Sequence, residues 1–428
     1  MTHTSDAPDA TLPEHIPVAE ADLPALRRRI QAVLIGTQVL GGLGIATGVA
    51  LAAVLARDVS GSEALSGLAS TATVAGPALL AMPLASLMAS RGRRAGLVLA
   101  YLIGAVGAGV AVLGAVVDSF PLLLAGLVGF GAGSSANLAA RFAAADLAEP
   151  DRRARAISTV VWATTIGAVL GPNIAAPAGK SVSGLGVPAT AGPFLWAAGV
   201  FVAAAVLVAL LLRPDPLLTA RALSSADPAK TAEGRSLRAG MRAVRESPKA
   251  RLALVTVAAT HTAMVSIMSM TPVALTHHGA DIRLIGLVIS GHIAGMFAFS
   301  PVMGWLADRL GRLSVIGLAV GLLGIAALVA GTSGSSHGQT AAGLFILGLG
   351  WSAGLVSGSA LLTDSVPQDA RAAVQGLSDT IMNAAAGLGG IAAGLIVSQA
   401  GYGPLNAIAA CLLLPMAALA VLSAVRKA

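Results

Sequence analysis

The sequence predicts an all-α membrane protein in which twelve transmembrane helices form two pseudo-symmetric six-helix halves. Three observations lead there: apolar runs recurring along the chain, basic residues gathered on one side of them, and a repeat near half the chain length. Of 428 residues, 56% are hydrophobic and 11% charged, whereas a soluble protein carries about 25% charged residues. So little polar surface cannot coat a water-soluble globule of this size.

A spanning helix needs about 20 mostly apolar residues, each adding about 1.5 Å against a hydrocarbon core about 30 Å thick. Runs of that kind fall at 30–56, 65–88, 95–117, 121–147, 156–180 and 188–212, then at 251–276, 284–307, 314–331, 340–363, 372–400 and 404–425. The period-two alternation of an outer-membrane barrel is absent, so these are helices. The opening 26 residues are polar and proline-bearing, without the basic start and apolar core of a signal peptide. The expected organisation is a disordered tail at 1–29, a first half at 30–212, a polar linker at 213–250 and a second half at 251–428. In the linker, SLRAGMRAVRES places Leu237, Met241 and Val244 on one helical face, with Arg238, Arg242 and Arg245 away from it. That pattern suits a helix lying on the inner leaflet or a solvated linker helix.

Charge placement sets the expected orientation. With the amino terminus inside, 23 of the 27 Lys and Arg residues fall in inner segments, against Arg57, Lys180 and Arg283 outside. Basic loops stay on the cytoplasmic side, so both termini are expected there, in an inner or plasma membrane. The net charge of +7 then belongs to loops facing anionic lipid, and nucleic acid is not needed to explain it. Cys411 is the lone cysteine, which excludes a disulfide framework and a cysteine metal site. No nucleotide-binding loop or nucleophile constellation stands out, so no enzyme activity and no cofactor are expected. Glycine pairs at four-residue spacing, Gly44 with Gly48, Gly167 with Gly171, and Gly350 with Gly354 and Gly358, suit close helix contacts in lipid.

The stretch GWLADRLGR at 304–312 puts charge between two apolar runs and has a counterpart in ASLMASRGR at 85–93, at an offset of 219. DLAEPDRRARA from Asp146 resembles DSVPQDARAA from Asp364 at an offset of 217 to 218. Two agreeing offsets near half the chain length indicate two halves related by duplication, a plan used by carriers that rock about a midplane site. These residues give the sequence a resemblance, over its length past the tail, to the major facilitator superfamily of secondary transporters. The family's signature between the second and third helices of a half, G-x-L-a-D-R-x-G-R, is matched by Gly304, Leu306, Ala307, Asp308, Arg309, Gly311 and Arg312. In the first half it is eroded, with Ala85, Ala89 and Ser90 in place of glycine, aspartate and arginine.

Asp308 is expected to cap the fifth helix, whose positive N-terminal end begins near Ile157 at the same surface. Gly311 permits the turn, and Arg309 and Arg312 hold the loop inside and can pair with Asp308. The resemblance implies that this loop latches the halves on the cytoplasmic side; plain topology is the alternative. Gly167, Gly171 and Pro172 partly match the G-x-x-x-G-P stretch of the family's antiporters, and this resemblance implies export by exchange. A plain packing kink would give the same residues.

Ionisable residues inside a span are costly and stand as functional candidates. Arg141, on the fourth helix, could bind a substrate anion, neutralise a carboxylate or snorkel to the inner surface. Asp379, with Asn383 one turn on in the eleventh helix, is the expected proton carrier: burial favours its neutral form and a cation such as Arg141 its charged form. A structural salt bridge between the two is the alternative. His261 and His292 fall near the midplane and titrate in the physiological range, or serve as packing histidines. Gln38, Asn137, Asn173, Trp351 and Ser352 are candidates to line a cavity. No ligand set for a metal appears. The expected function is proton-coupled efflux of small amphipathic molecules or drugs by a monomer that binds substrate, protons and membrane lipid. A proton-coupled or facilitative importer of a nutrient is the alternative, and a non-transporting receptor is a third.

Overall fold

Apolar composition over long windows forces the chain into helices, because a backbone in lipid must satisfy its own hydrogen bonds. The computed structural model describes residues 22–182, 184–224, 237–280 and 282–425, and among these the chain forms sixteen α-helices and no strand. The first half comprises α1 (Leu23–Ser60), α2 (Glu63–Arg91), α3 (Arg93–Val116), α4 (Phe120–Asp146), α5 (Arg153–Ser181) and α6 (Gly192–Leu211). Two linker helices follow, α7 (Pro216–Leu223) and α8 (Leu237–Glu246). The second half comprises α9 (Pro248–His277), α10 (Ile282–Phe297), α11 (Ser300–Leu310), α12 (Arg312–Gly331), α13 (His337–Asp364), α14 (Arg371–Ala400), α15 (Tyr402–Cys411) and α16 (Leu414–Val425).

Among the described residues, twelve spans are long and apolar enough to cross a membrane, with α10 and α11 making one and α15 and α16 another. Both divided spans resume with proline in the first turn, Pro301 in α11 and Pro415 in α16. Proline removes a backbone donor and interrupts the helix before it, while suiting the start of the next one. The first helix begins at Leu23, ahead of the apolar run at 30, because Arg27, Arg28 and Arg29 continue its backbone past the hydrocarbon. The rest of the expected tail, residues 1–21, lies outside the described residues, as do 225–236 of the linker.

Two apolar cores form, one centred on each half, with Ala372 joining the first and Phe142, Ala145, Ala154, Ile157 and Val161 joining the second. In the first, Phe130 meets Phe194 edge-on at 5.2 Å and Phe201 at 5.7 Å. Gly44 and Gly48 leave the space those rings fill: a Cβ on Gly48 would stand 2.5 Å from Phe130. Their spacing therefore serves aromatic packing more than a bare backbone contact. Gly167 is the opposite case. A Cβ there would stand 2.4 Å from the Leu43 backbone nitrogen, so α1 and α5 touch main chain to main chain, the contact small residues permit where lipid supplies no hydrophobic drive.

The linker is docked. Asp215 caps α7, accepting from the Leu217 and Leu218 N–H groups at 3.0 and 3.2 Å. In α8, Val244 is buried in the second core and Gly240 abuts Ala373 of α14, while Arg238, Arg242 and Arg245 are exposed. The apolar face thus covers the start of α14 rather than lipid; the side chain of Leu237 lies outside the described residues. Substituting Gly167→Leu should destabilise the chain by about 1–3 kcal/mol through overpacking, seen as a lower melting temperature. Gly317→Ala, where a Cβ meets nothing within 4 Å, should leave it unchanged.

Candidate functional site between the two halves

The two halves meet most closely at the end that carries the arginine-rich turns. Asp308, at the end of α11, accepts from the backbone N–H groups of Ala154 at 3.1 Å and Arg155 at 2.9 Å, in the first turn of α5. The residue that precedes α5, Arg152, provides no side-chain cap, so the carboxylate from the other half satisfies donors that would otherwise be orphaned, at the positive end of the helix dipole. Arg312 reaches Asp308 at 3.1 Å, Asp364 at 3.1 Å and the Pro150 carbonyl at 2.5 Å. Arg153 crosses between halves to Asp364 at 2.5 Å. Arg309 does not pair with Asp308; its guanidinium lies over the Trp305 ring at 5.2 Å. Gly304 lets α11 approach α5, since a Cβ there would stand 2.7 Å from the Ala154 carbonyl oxygen. Ser300 Oγ donates to the Ser158 carbonyl at 3.0 Å along the same seam.

The first half repeats the ion pair but not the cap. Arg93 holds Asp146 through Nε at 2.7 Å and Nη2 at 3.3 Å, with both side chains buried. This is the counterpart of Arg312 with Asp364. Ala89 stands where an aspartate would have faced the start of α14, and α14 has no side-chain N-cap of its own. Other residues make the connection. Arg93 Nη1 donates to Gln375 of α14, and Arg221 of α7 donates to the Ala89 carbonyl at 2.7 Å and the Asp369 carbonyl at 3.3 Å. Asp215 accepts from the Arg94 N–H at 2.7 Å, capping α3 as well as α7. Sequence reasoning did not single out Gln375, Arg221 or Asp215. An Asp-Pro cap signature at Asp215–Pro216 was visible; nothing local marks the other two.

Above this latch lies a second ion pair. Arg141 Nη2 meets Asp379 Oδ1 at 2.6 Å, joining α4 to α14, with side-chain exposures of 1% and 7%. Arg141 is therefore held inward and does not snorkel. Gln375 lines the same small cavity as Asp379, so Asp146, Arg93, Gln375, Asp379 and Arg141 form one polar cluster that crosses between halves. Asn383 donates to the Asp379 backbone carbonyl at 2.7 Å, on its own helix. A cavity of about 10 Å³ beside Asp379, lined by Ser135, Ala81, Leu84, Leu138 and Gln375, has room for about one water.

The other candidates are distributed more widely. Trp351 Nε1 donates to His261 Nδ1 at 2.9 Å. Indole is a donor only, so the neutral His261 carries its proton on Nε2. His292 is buried within the second half, with Nδ1 2.7 Å from the Leu344 carbonyl, away from the seam between halves. Gln38 donates to Thr164 at 3.2 Å, tying α1 to α5, and the Asn137 amide oxygen lies 3.0 Å from the Tyr101 hydroxyl. Ser352 is fully buried. Gly171 of α5 packs on Ala46 of α1; the side chains of Pro172 and Asn173 lie outside the described residues. No group of three or more His, Cys, Asp or Glu is placed to hold a metal among the described residues.

The sequence profile described as Major Facilitator Superfamily matches residues 33–281 and 252–428. The chain belongs to the major facilitator superfamily. Its relatives include the uncharacterized MFS-type transporter YdeG of Bacillus subtilis, 37% identical over 405 residues, covering 94% of this chain and 93% of that one. The riboflavin transporter RfnT of Brucella anthropi is 29% identical over 385 residues, covering 90% and 93%. Among solved structures, the transporter FucP in its outward conformation superposes with a TM-score of 0.73 at 17% identity, covering 92% and 98%, a likeness of fold. As a member of this superfamily the chain is a multi-pass membrane transporter and not an enzyme.

Removing the Asp308 cap should loosen the seam. With spin labels on cysteines at Arg91 and Leu310, both exposed at the basic end, Asp308→Ala should shift the distance distribution to longer values. A cap is worth about 0.5–2 kcal/mol, enough to raise the separated population several-fold.

Proposed function

We propose that this transporter is a proton-coupled secondary carrier of the inner or plasma membrane, moving a small organic solute by alternating access as a monomer. Asp379 carries the proton and the proton gradient supplies the energy, with no cofactor. The observation that carries this reading is the Arg141–Asp379 ion pair, buried between the halves at 2.6 Å, with Gln375, which binds Arg93 of the Arg93–Asp146 pair, lining the cavity beside it. Both charges sit where unpaired charge is expensive: breaking a buried pair by removing one partner costs about 3–5 kcal/mol. A proton arriving on Asp379 cancels one of the charges and frees the halves to separate.

Orientation follows from the arginine-rich turns, with the basic end and both termini in the cytoplasm. In that frame the hydrogen bonds at Asp308, Asp364, Gln375 and Asp369 close the cytoplasmic side, and the arrangement is outward-facing. Lipid contacts belong to the outward apolar surfaces and the basic turns.

Export of small amphipathic molecules or drugs by proton antiport is a second reading, favoured by the main-chain contact of Gly167 with α1 on the helix bearing the partial antiporter pattern. The 29% identical relative is a riboflavin transporter, which makes riboflavin the first solute to try. In proteoliposomes, an imposed pH gradient should drive accumulation of the transported solute, and Asp379→Asn should reduce the driven component at least tenfold while slower exchange persists. Undiminished pH-driven accumulation by that variant would remove Asp379 from the coupling.

A further inference from the structure

Arg141 has more donors than the protein uses. A guanidinium carries five N–H groups, and here only Nη2 meets an acceptor, Asp379 Oδ1 at 2.6 Å. Nε and Nη1 are sealed from solvent with no hydrogen-bond partner. Arginine and carboxylate often meet through two parallel bonds; Asp379 makes one, through Nη2, and leaves the Nε–H and Nη1 N–H groups unpaired. Leaving a buried donor unsatisfied costs about 1–3 kcal/mol, so two on one side chain point to an acceptor that comes from outside the chain.

The neighbourhood suits such an acceptor. The Ser135 and Ser378 hydroxyls are buried without partners. Asn137, one helical turn from Arg141 towards the far end of α4, is partly exposed. His261 lies within electrostatic reach of Arg141, and the Trp351 bond to Nδ1 leaves its Nε2–H as a donor. Around Asp379, α4 contributes Arg141, α3 contributes Arg93, α14 contributes Gln375 and Asn383, and α2 contributes only apolar residues such as Ala81, Leu84 and Met88. Asp379 is the charged group acting on Arg141 among the described residues.

We infer that the solute bears one negative charge, a carboxylate or similar oxyanion, received at the unpaired N–H groups of Arg141 while Asp379 takes the proton that travels with it. An oxyanion offers several lone pairs and a charge opposite to the guanidinium's, whereas a neutral carbonyl oxygen lacks that charge and a cation carries the wrong one. Empty, the pair is neutral. An arriving anion leaves one uncompensated negative charge, and a proton passing from cleft water to a carboxylate oxygen of Asp379 restores neutrality. Solute and proton then move together in the same direction with no net charge transferred. This rests on the coupling role of Asp379 proposed above.

The test uses the purified full chain and a panel of small organic acids, from lactate and benzoate to octanoate, each beside its primary amide. At least one acid should raise the melting temperature where its amide does not, and its binding should take up a proton from weakly buffered solution. Arg141→Lys, which keeps the charge but loses the planar set of donors, should weaken that acid at least tenfold. Asp379→Asn should still bind it without proton uptake. The double variant Arg141→Gln/Asp379→Asn removes both buried charges, keeps the fold and should not bind. Stabilisation by amides as strong as by acids, proton release on binding, wild-type affinity in Arg141→Lys, or no acid that stabilises would each overturn the inference. Solute movement that remains pH-driven and Asp379-dependent with a neutral solute would overturn it while leaving the coupling proposal standing.

Discussion

Between two bundles made almost wholly of apolar side chains, one arginine and one aspartate are buried against each other. Neither charge could occupy its position alone: in a low-dielectric interior the attraction between them offsets desolvation that would otherwise expel or neutralise each group. Because Arg141 belongs to α4 and Asp379 to α14, satisfying that constraint holds the two halves together. Any event that separates the halves has to supply new partners for both groups, and this requirement links charge movement to shape change.

The latch at the basic end shows how duplication leaves a plan that later divergence edits. Arg93 with Asp146 and Arg312 with Asp364 occupy equivalent places. In one half Asp308 still caps the facing helix across the seam. In the other, with Ala89 at the equivalent place, the linker helix α7 brings Arg221 to the exposed carbonyls, and Gln375 ties the buried ion pair to α14. The linker is thus part of the closure on one side only, and Gln375, bound to Arg93, borders the cavity beside the inner pair. The two seams differ in chemistry while sharing geometry.

Much of this architecture was legible because lipid leaves few alternatives: apolar length dictates spans, proline divides two of them, and basic turns gather at one end. The meeting of Asp308 with α5 follows from a carboxylate and a helix N-terminus sharing one surface. The meeting of Arg141 with Asp379 follows from the poverty of other charges at that depth. What stayed hidden depends on partners far away in sequence. Gln375 is ordinary until α14 is laid beside α3, and Arg221 looks like one more linker arginine until α7 docks. The apolar face of α8 suits a membrane surface as well as it suits α14, and only packing decides. His292 reads like His261 by depth, yet it turns into the second half, away from the seam.

The central claim is that Asp379 is ionised while it holds Arg141 and becomes protonated when the halves are released. Difference infrared spectroscopy of the carboxyl stretch, comparing the protein with Asp379→Asn, measures this directly. The account predicts no protonated-carboxyl band from Asp379 in the closed, solute-free state, and the appearance of one on acidification together with opening of the basic end. A protonated Asp379 band already present in the closed state, or opening that proceeds while Asp379 stays ionised, would contradict it.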